Sequence, residues 1–288
     1  MRRRWERSAE IFFCLSALIS VLVSAAILVF LLTFGLPLLT EGRFLALLTE
    51  PWAPRQGRFG IAPMIAGSLT ISLLTMIFAA PLSFGCALVI SVTGRGGTTG
   101  RLLRRTVEMM TGIPTVIYGF VGIFLLVPLV RQMFAVGSGM CMLSAALLMT
   151  LLVSPTMILL FADSFDRVPS CQGQAVLALG GTEIQRFLYV TLPACWPGML
   201  VGMTLGLGRA LGDTLIALMI AGNAAQMPSS LLDSVRSLTA HIALVFAADY
   251  QSLEFKAIFA CGLFLYLCTT MLVITIRLLG SWQARRWR

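Results

Sequence analysis

The chain has 288 residues, 58% of them hydrophobic and only 11% charged, with a mean hydropathy of +0.92. Soluble globular domains carry about a quarter charged residues, so this composition excludes a water-solvated globule and points to a chain solvated by lipid. The formal net charge of +9 could serve nucleic acid, but the basic residues gather at the ends of apolar runs, where they orient a membrane protein and make a nucleic-acid partner unnecessary.

Six uncharged runs, at 11–40, 61–93, 109–130, 132–162, 188–208 and 257–276, each reach the length of about 20 apolar residues that a spanning helix needs. The fifth is expected to continue past Arg209 and Asp213 to about Asn223. The expected fold class is therefore an all-α membrane protein with six transmembrane helices. With the N-terminus inside, fourteen arginines fall on the cytoplasmic side and six basic residues on the other, so both termini are expected to be cytoplasmic.

Residues 1–10 form a basic anchor, and the following run is too long for the apolar core of a cleaved signal, so it is expected to stay as a helix. A first outer loop (41–59) is broken by Pro51-Trp52-Ala53-Pro54, with Trp52 expected at the interface. Helix two begins at Pro63 and carries Gly67, Ser68, Thr70, Ser72, Thr75, Ser83 and Gly85, small residues that let helices approach closely. Lining of a polar pathway is the alternative for Ser68, Thr70 and Ser72. The inside turn 93–100 is Gly-rich but lacks the Gly-Lys-Ser/Thr ending of a phosphate loop, so it reads as a flexible connection.

The segment 101–108 re-enters the membrane with Arg104 and Glu108 at a pairing distance of four residues. Gly112-Ile113-Pro114 in helix three frees backbone carbonyls, which is tolerated only against protein or a water-lined cavity. Helix four ends past Ser154-Pro155-Thr156, and Asp163, Asp166 and Arg167 mark the return to the cytoplasm. Beyond helix five an outer connection, 223–251, contains an apolar middle (231–246) suited to a re-entrant or interfacial helix. His241, the single histidine, is expected there as a polar surface residue, and helix six with an Arg-rich tail closes the chain. The seven cysteines form no CxxC pair and read as small packing residues; no metal site is expected.

Two constellations carry function. The inside segment 163–196 places Leu177, Leu179, Ile184, Phe187 and Leu188 on two short apolar faces around Gly180-Gly181, and exposed apolar turns call for a partner that covers them. Arg209 and Asp213 lie deep in helix five, with Arg209 about 18 Å in at 1.5 Å per residue. A permanently cationic fork in lipid is costly and marks a pathway, and its geometry suits an oxyanion. Asp213, one turn on, is placed to neutralise it; a structural staple between helices is the alternative.

The inside segment resembles the Glu-Ala-Ala–Gly–Ile-x-Leu-Pro signature of ABC-importer permeases: Gln174-Ala175-Val176, Gly180, Val190 and Leu192-Pro193 stand at matching spacing. Gln174 stands where the family has Glu, Val176 where it has Ala and Val190 where it has Ile. Residues 206–214 are similar to the Gly-Arg-Ala-x-Gly-Glu-Thr segment of phosphate-specific permeases, with Asp213 one methylene shorter than the Glu. Glu108 with Gly112-Ile113-Pro114-Thr115-Val116-Ile117-Tyr118-Gly119, Ala221-Gly222-Asn223 and the stretch 236–244 resemble the PstC type within that group.

The resemblance spans about 61–280. It implies a type I ABC-permease fold, an N-terminal anchor and first helix at 1–60, a permease core at 61–280 and a basic tail at 281–288. It further implies a multi-pass protein of the prokaryotic inner membrane that passes inorganic phosphate inward. Arg209, Asp213, Glu108 and Thr214 would form the substrate pathway. Gln174, Ala175, Gly180, Gly181, Glu183, Leu192 and Pro193 would form the coupling element that meets an ATPase.

The implied partners are a second homologous permease, cytoplasmic ATP-binding subunits that alone hold the ATP, an extracytoplasmic phosphate-binding protein and membrane lipid. No cofactor and no catalytic residue are expected in this chain, which is not read as an enzyme. Another oxyanion (molybdate, sulfate or phosphonate), or a membrane module that signals phosphate, are the alternatives.

Overall fold

A computed structural model describes residues 2–40, 50–93, 97–135, 137–246 and 253–286. The first part of the first outer loop (41–49), the centre of the Gly-rich inside turn (94–96), residues 247–252 of the second outer connection and the last two residues of the basic tail lie outside the described residues.

The order is α1 (Arg2–Thr40), a two-residue hairpin of β1 (Trp52–Ala53) and β2 (Arg58–Phe59), α2 (Ala62–Leu88), α3 (Thr98–Thr111), α4 (Thr115–Phe124), α5 (Leu126–Phe134), α6 (Met142–Asp166), α7 (Ser170–Ala178), α8 (Glu183–Arg186), α9 (Leu192–Gly212), α10 (Leu215–Ile220), α11 (Leu238–Val245) and α12 (Leu253–Arg286). Six stretches among the described residues are long and apolar enough to cross a membrane: Glu10–Gly35, Ala62–Ser91, Thr115–Phe134, Met142–Asp166, Glu183–Gly212 and Ala257–Thr275.

The core is α6, gripped by α2 on one side and α9 on the other. Hydroxyls on α2 donate to carbonyls of α6 at a fixed offset: Thr75 to Ala146 (3.5 Å), Ser83 to Ser154 (3.4 Å) and Ser91, just past the helix end, to Ala162 (3.3 Å). A constant offset means that the two helices run parallel, as two outside-to-inside spans must. The small residues of helix two thus pack the bundle; Ser68, Ser72, Thr75 and Ser83 are all buried.

On the other side Gly198, Gly202 and Gly206 present a smooth stripe at four-residue spacing. A Cβ at Gly202 would lie 2.8 Å from Phe161 Cε1, one at Gly206 2.6 Å from Met157 Sδ, and one at Gly198 would strike Ser164. The contacts descend α6 as they climb α9, so this pair is antiparallel and close, as small residues at four-residue spacing permit. At the edge, α1 lies along α12: Phe34 stacks on Phe259 at 5.0 Å, and a Cβ at Gly35 would come within 3.2 Å of the Phe259 carbonyl. Residues 10–27 of α1 are exposed, as suits a face toward lipid.

Four expectations are corrected. Helix three is broken at Gly112-Ile113-Pro114, where Pro114 is extended (ψ 140°) and starts α4. Helix four begins at Met142, because 126–134 belongs to the preceding span and Ala135 ends it in a left-handed conformation (φ 51°). Helix five does not run through to Asn223: it ends at Gly212, Asp213 is extended (ψ 122°), and α10 restarts at Leu215. His241 is wholly buried, not on the surface, on α11 with the Trp52 ring edge-on at 4.3 Å. All seven cysteines are free.

Candidate functional site

The cytoplasmic element is a helical hairpin. Pro169 is extended and precedes α7. After α7 the chain reverses at Gly180, whose φ of +81° L side chains rarely adopt. Gly181 follows because a Cβ there would lie 2.9 Å from the Val176 carbonyl. Thr182 then caps α8 reciprocally: its hydroxyl accepts from the Gln185 N–H (3.3 Å) and the Gln185 side chain accepts from the Thr182 N–H (2.8 Å). Glu183 pairs with Arg186 at 2.9 Å on the same turn. A π-turn, Phe187–Thr191, leads without interruption into Leu192-Pro193 and the spanning helix α9.

Gln174, Ala175 and Glu183 are exposed on this hairpin, as is Pro193 at the start of α9. So are the apolar side chains Leu179 (89%), Tyr189 (77%) and Ile184 (71%). A cavity of about 600 Å³ lies between the hairpin and the inner ends of α2 and α6, lined among others by Val89, Phe165, Gln174, Arg186 and Phe187. The arrangement offers an apolar handle that any movement must transmit into α9.

Deep in that helix, the half-buried Arg209 guanidinium donates from Nη1 to Thr156 Oγ1 of α6 at 3.1 Å. Asp213 lies within the field of Arg209, but no ion pair joins them among the described residues. Its carboxylate instead accepts the Ile216 N–H at 2.8 Å, closing the first turn of α10. Its carbonyl accepts from the Thr239 hydroxyl of the outer connection at 3.0 Å. Thr214 is the N-terminal flank of α10 and its carbonyl accepts from the Leu218 N–H at 2.9 Å.

Glu108 lies elsewhere. It meets Arg104 at 3.3 Å, and Arg104 also reaches Asp163 (2.9 Å) and Asp166 (3.4 Å), a cluster that ties α3 to the inner end of α6. The expected partnership of Glu108 with Arg209 is not formed here.

Above the break, the outer connection folds onto α10. Asn223, left-handed at φ 61°, donates from Nδ2 to the Leu218 carbonyl (2.6 Å), and its own carbonyl accepts from Arg236 Nε (2.9 Å). The Val235 N–H bonds the Ala221 carbonyl (2.8 Å), and Ser68 of α2 accepts the Leu238 N–H at 2.7 Å, seating α11. Asp233 is held by the Ser229 hydroxyl and by the Ser229 and Ser230 N–H groups, which keep its carboxyl below the usual carboxylate range.

Sequence reasoning missed Thr156 as the rest for Arg209 and Asn223 as the cap of α10. The first had a signal in a hydroxyl beside Pro155. The second had one in an asparagine after Gly222, a residue type that tolerates the left-handed region.

A family model described as "Binding-protein-dependent transport system inner membrane component" matches residues 79–288. A relative from Bacillus subtilis, "Probable ABC transporter permease protein YqgH", is 32% identical over 92% of this chain and 87% of its own length. "Phosphate transport system permease protein PstC" of Pasteurella multocida is 31% identical over 79% of this chain and 77% of its own. Among solved structures, a bacterial alginate ABC transporter in complex with alginate pentasaccharide-bound periplasmic protein aligns with a TM-score of 0.65 at 14% identity, over 96% of this chain and 93% of that one. The MetNI methionine ABC transporter, in inward-facing conformations, aligns at 0.58 and 14% identity over 75% and 92%. These two likenesses are of fold.

Proposed function

Since the chain belongs to the family of binding-protein-dependent transport system inner membrane components, we propose that it is the PstC-type permease subunit of an ABC importer that carries inorganic phosphate into the cytoplasm. The chain is a multi-pass inner-membrane permease of the type I fold and not an enzyme. The relatives named for phosphate transport support the choice of anion.

The observation that carries the reading is Arg209. Its fixed charge sits in a spanning helix, held by a neutral hydroxyl and, among the described residues, in no ion pair with Asp213 one turn on. A tetrahedral oxyanion passing the helix break is a partner suited to that fork. The helix break at Asp213 puts backbone polarity beside the same point, which membrane proteins accept only where the chain is buried or lines a cavity.

On this reading the hairpin from Gln174 to Pro193 docks on an ATP-binding subunit and transmits its closure through α9. A second permease completes the pathway and an extracytoplasmic phosphate-binding protein delivers the anion to the outer loops. Uptake of radiolabelled phosphate by cells expressing the complete transporter tests the anion. Unlabelled phosphate is expected to compete, and sulfate, molybdate and phosphonate to compete weakly. Phosphate failing to compete would remove it as substrate.

A further inference from the structure

We propose that the outward face of α3 is a binding site for anionic phospholipid of the inner leaflet, with Arg101 and Arg105 on the phosphate and Leu102 and Met109 against the acyl chains. Such a site needs only that the chain lie in the inner membrane; it is independent of the anion carried.

The helix has two faces. Gly100 and Val107 are buried, Val107 in the main core, and Leu103 packs against the same cluster. On the opposite side Leu102, Arg105 and Met109 follow at spacings of three and four residues, with Arg101 one turn before Arg105. Leu102 is 68% exposed and Met109 75%, large apolar side chains that the described residues leave uncovered. The charges divide in the same way. Arg104, on the flank nearer the core, takes Glu108, Asp163 and Asp166. Arg101 and Arg105 are exposed and, among the described residues, pair with no carboxylate; Arg101 spends Nε on the Gly97 carbonyl at 3.5 Å.

The depth of this face identifies its partner. Ser91 closes one span and Asp166 another; the Ser91 hydroxyl bonds the Ala162 carbonyl, and Arg104 bonds the next residue, Asp163. The middle of α3 therefore stands level with the inner ends of the spans. The helix climbs from the cytoplasmic turn toward α4, so Met109 lies up to about 12 Å deeper than Arg101 at 1.5 Å per residue. A hydrophobic protein surface over Leu102 and Met109 would strand two arginines, and an acidic one would leave the apolar pair unmatched. A leaflet of anionic phospholipid offers phosphate and hydrocarbon within that depth, with the arginine stems lying along the apolar side. Through Arg104 the lipid-bound helix braces the inner end of α6, from which the coupling hairpin follows.

The test reads lipid contact directly and needs no transport. Thr106, exposed on the same helix, is replaced (Thr106→Cys) and labelled with bimane in the full chain, alone and in the assembled transporter, in nanodiscs. The chain lacking that substitution gives the background of the other cysteines. Phosphatidylglycerol with brominated acyl chains is expected to quench the label about fivefold more efficiently than brominated phosphatidylcholine at the same low mole fraction. High salt should narrow this preference. Arg101→Gln with Arg105→Gln should abolish it, and Arg101→Lys with Arg105→Lys should keep it. Leu102→Ser with Met109→Ser should reduce quenching by both lipids.

Equal quenching by the two lipids, or a preference that survives the double glutamine variant, would overturn the proposal. Quenching in the chain alone that disappears on assembly would do the same, because a protein partner then covers the face. So would the absence of quenching by either lipid. Co-purification of the ATP-binding subunit reports whether each variant has assembled. If the double glutamine variant does not assemble, the salt dependence decides, and a preference unmoved by salt overturns the site. A lipid preference that holds while phosphate fails to compete in uptake leaves this site standing and removes only the anion.

Discussion

The Arg209 guanidinium rests on the Thr156 hydroxyl at 3.1 Å while Asp213, one turn on in sequence, turns its carboxylate away to the Ile216 N–H. The pair that spacing alone suggests is thus divided between two tasks: a cation held in place by a neutral group, and a cap for the helix that continues the span. Loss of Thr156 should therefore loosen the cation without unfolding the bundle. Thr156→Val, nearly isosteric, is expected to lower the initial uptake rate about tenfold, the worth of a hydrogen bond to a charged group, at an unchanged membrane level of the protein. An unchanged rate would show that the hydroxyl does not position Arg209.

Asp213 should tolerate loss of charge better than loss of its oxygen. Asp213→Asn keeps an acceptor for the Ile216 N–H, whereas Asp213→Ala removes it at a cost of about 1 kcal/mol. Thermal melts of the detergent-solubilised chain should rank wild type and Asp213→Asn together, above Asp213→Ala. The reverse order of the two variants would mean that the negative charge, and not the cap, holds the break.

The cytoplasmic hairpin separates docking from folding. Leu179 is 89% exposed and touches little of its own chain, so Leu179→Asp should leave the melting temperature in place while the co-purifying ATP-binding subunit falls at least fivefold. Gly180→Val should do both kinds of damage, because a β-branched residue is forced to φ +81°. Wild-type co-purification of Leu179→Asp would move the docking surface elsewhere.

His241 makes the outer cap sensitive to acid. It is wholly buried with neither ring nitrogen bonded, and burial, together with the charge of Arg236, pushes its pKa down to about 4. An unfolded chain takes up that proton near pH 6.5, so the folded state binds fewer protons between these two values. Its stability is full above about pH 6.5, declines as the pH falls toward 4 and levels off below. Melts across this range should show His241→Phe, which keeps a ring against Trp52, losing less stability on acidification than wild type. Parallel curves would contradict the assignment.

Much of the fold could be read from the chain because lipid imposes a coarse rule: apolar runs of sufficient length, with arginine at their inner ends, give the spans and their direction. The breaks were harder to read. Leu211, Gly212 and Thr214 are as compatible with a continuing helix as with a stop, and the extended Asp213 is held by Thr239, which lies 26 residues away in sequence.

His241 was misplaced for the same reason. Its burial depends on α11 folding down against Ser68 and on Trp52 arriving from the first outer loop, neither of which leaves a local pattern. The Gly198, Gly202 and Gly206 stripe, by contrast, stood in the sequence as a four-residue repeat of small residues whose partner, Phe161 and Met157, only the packing names. At the candidate site, Arg209 was visible because charge in an apolar run is conspicuous. Thr156 was not, since a hydroxyl in a membrane helix ordinarily bonds its own backbone.

The central claim is that the fixed charge of Arg209 meets the travelling anion. Accumulation of radiolabelled phosphate by the complete transporter carrying Arg209→Gln tests it most directly, with co-purification of the ATP-binding subunit as the measure of assembly. Accumulation is expected to fall by at least a hundredfold while the complex stays intact. Wild-type accumulation in the intact Arg209→Gln complex would contradict the account.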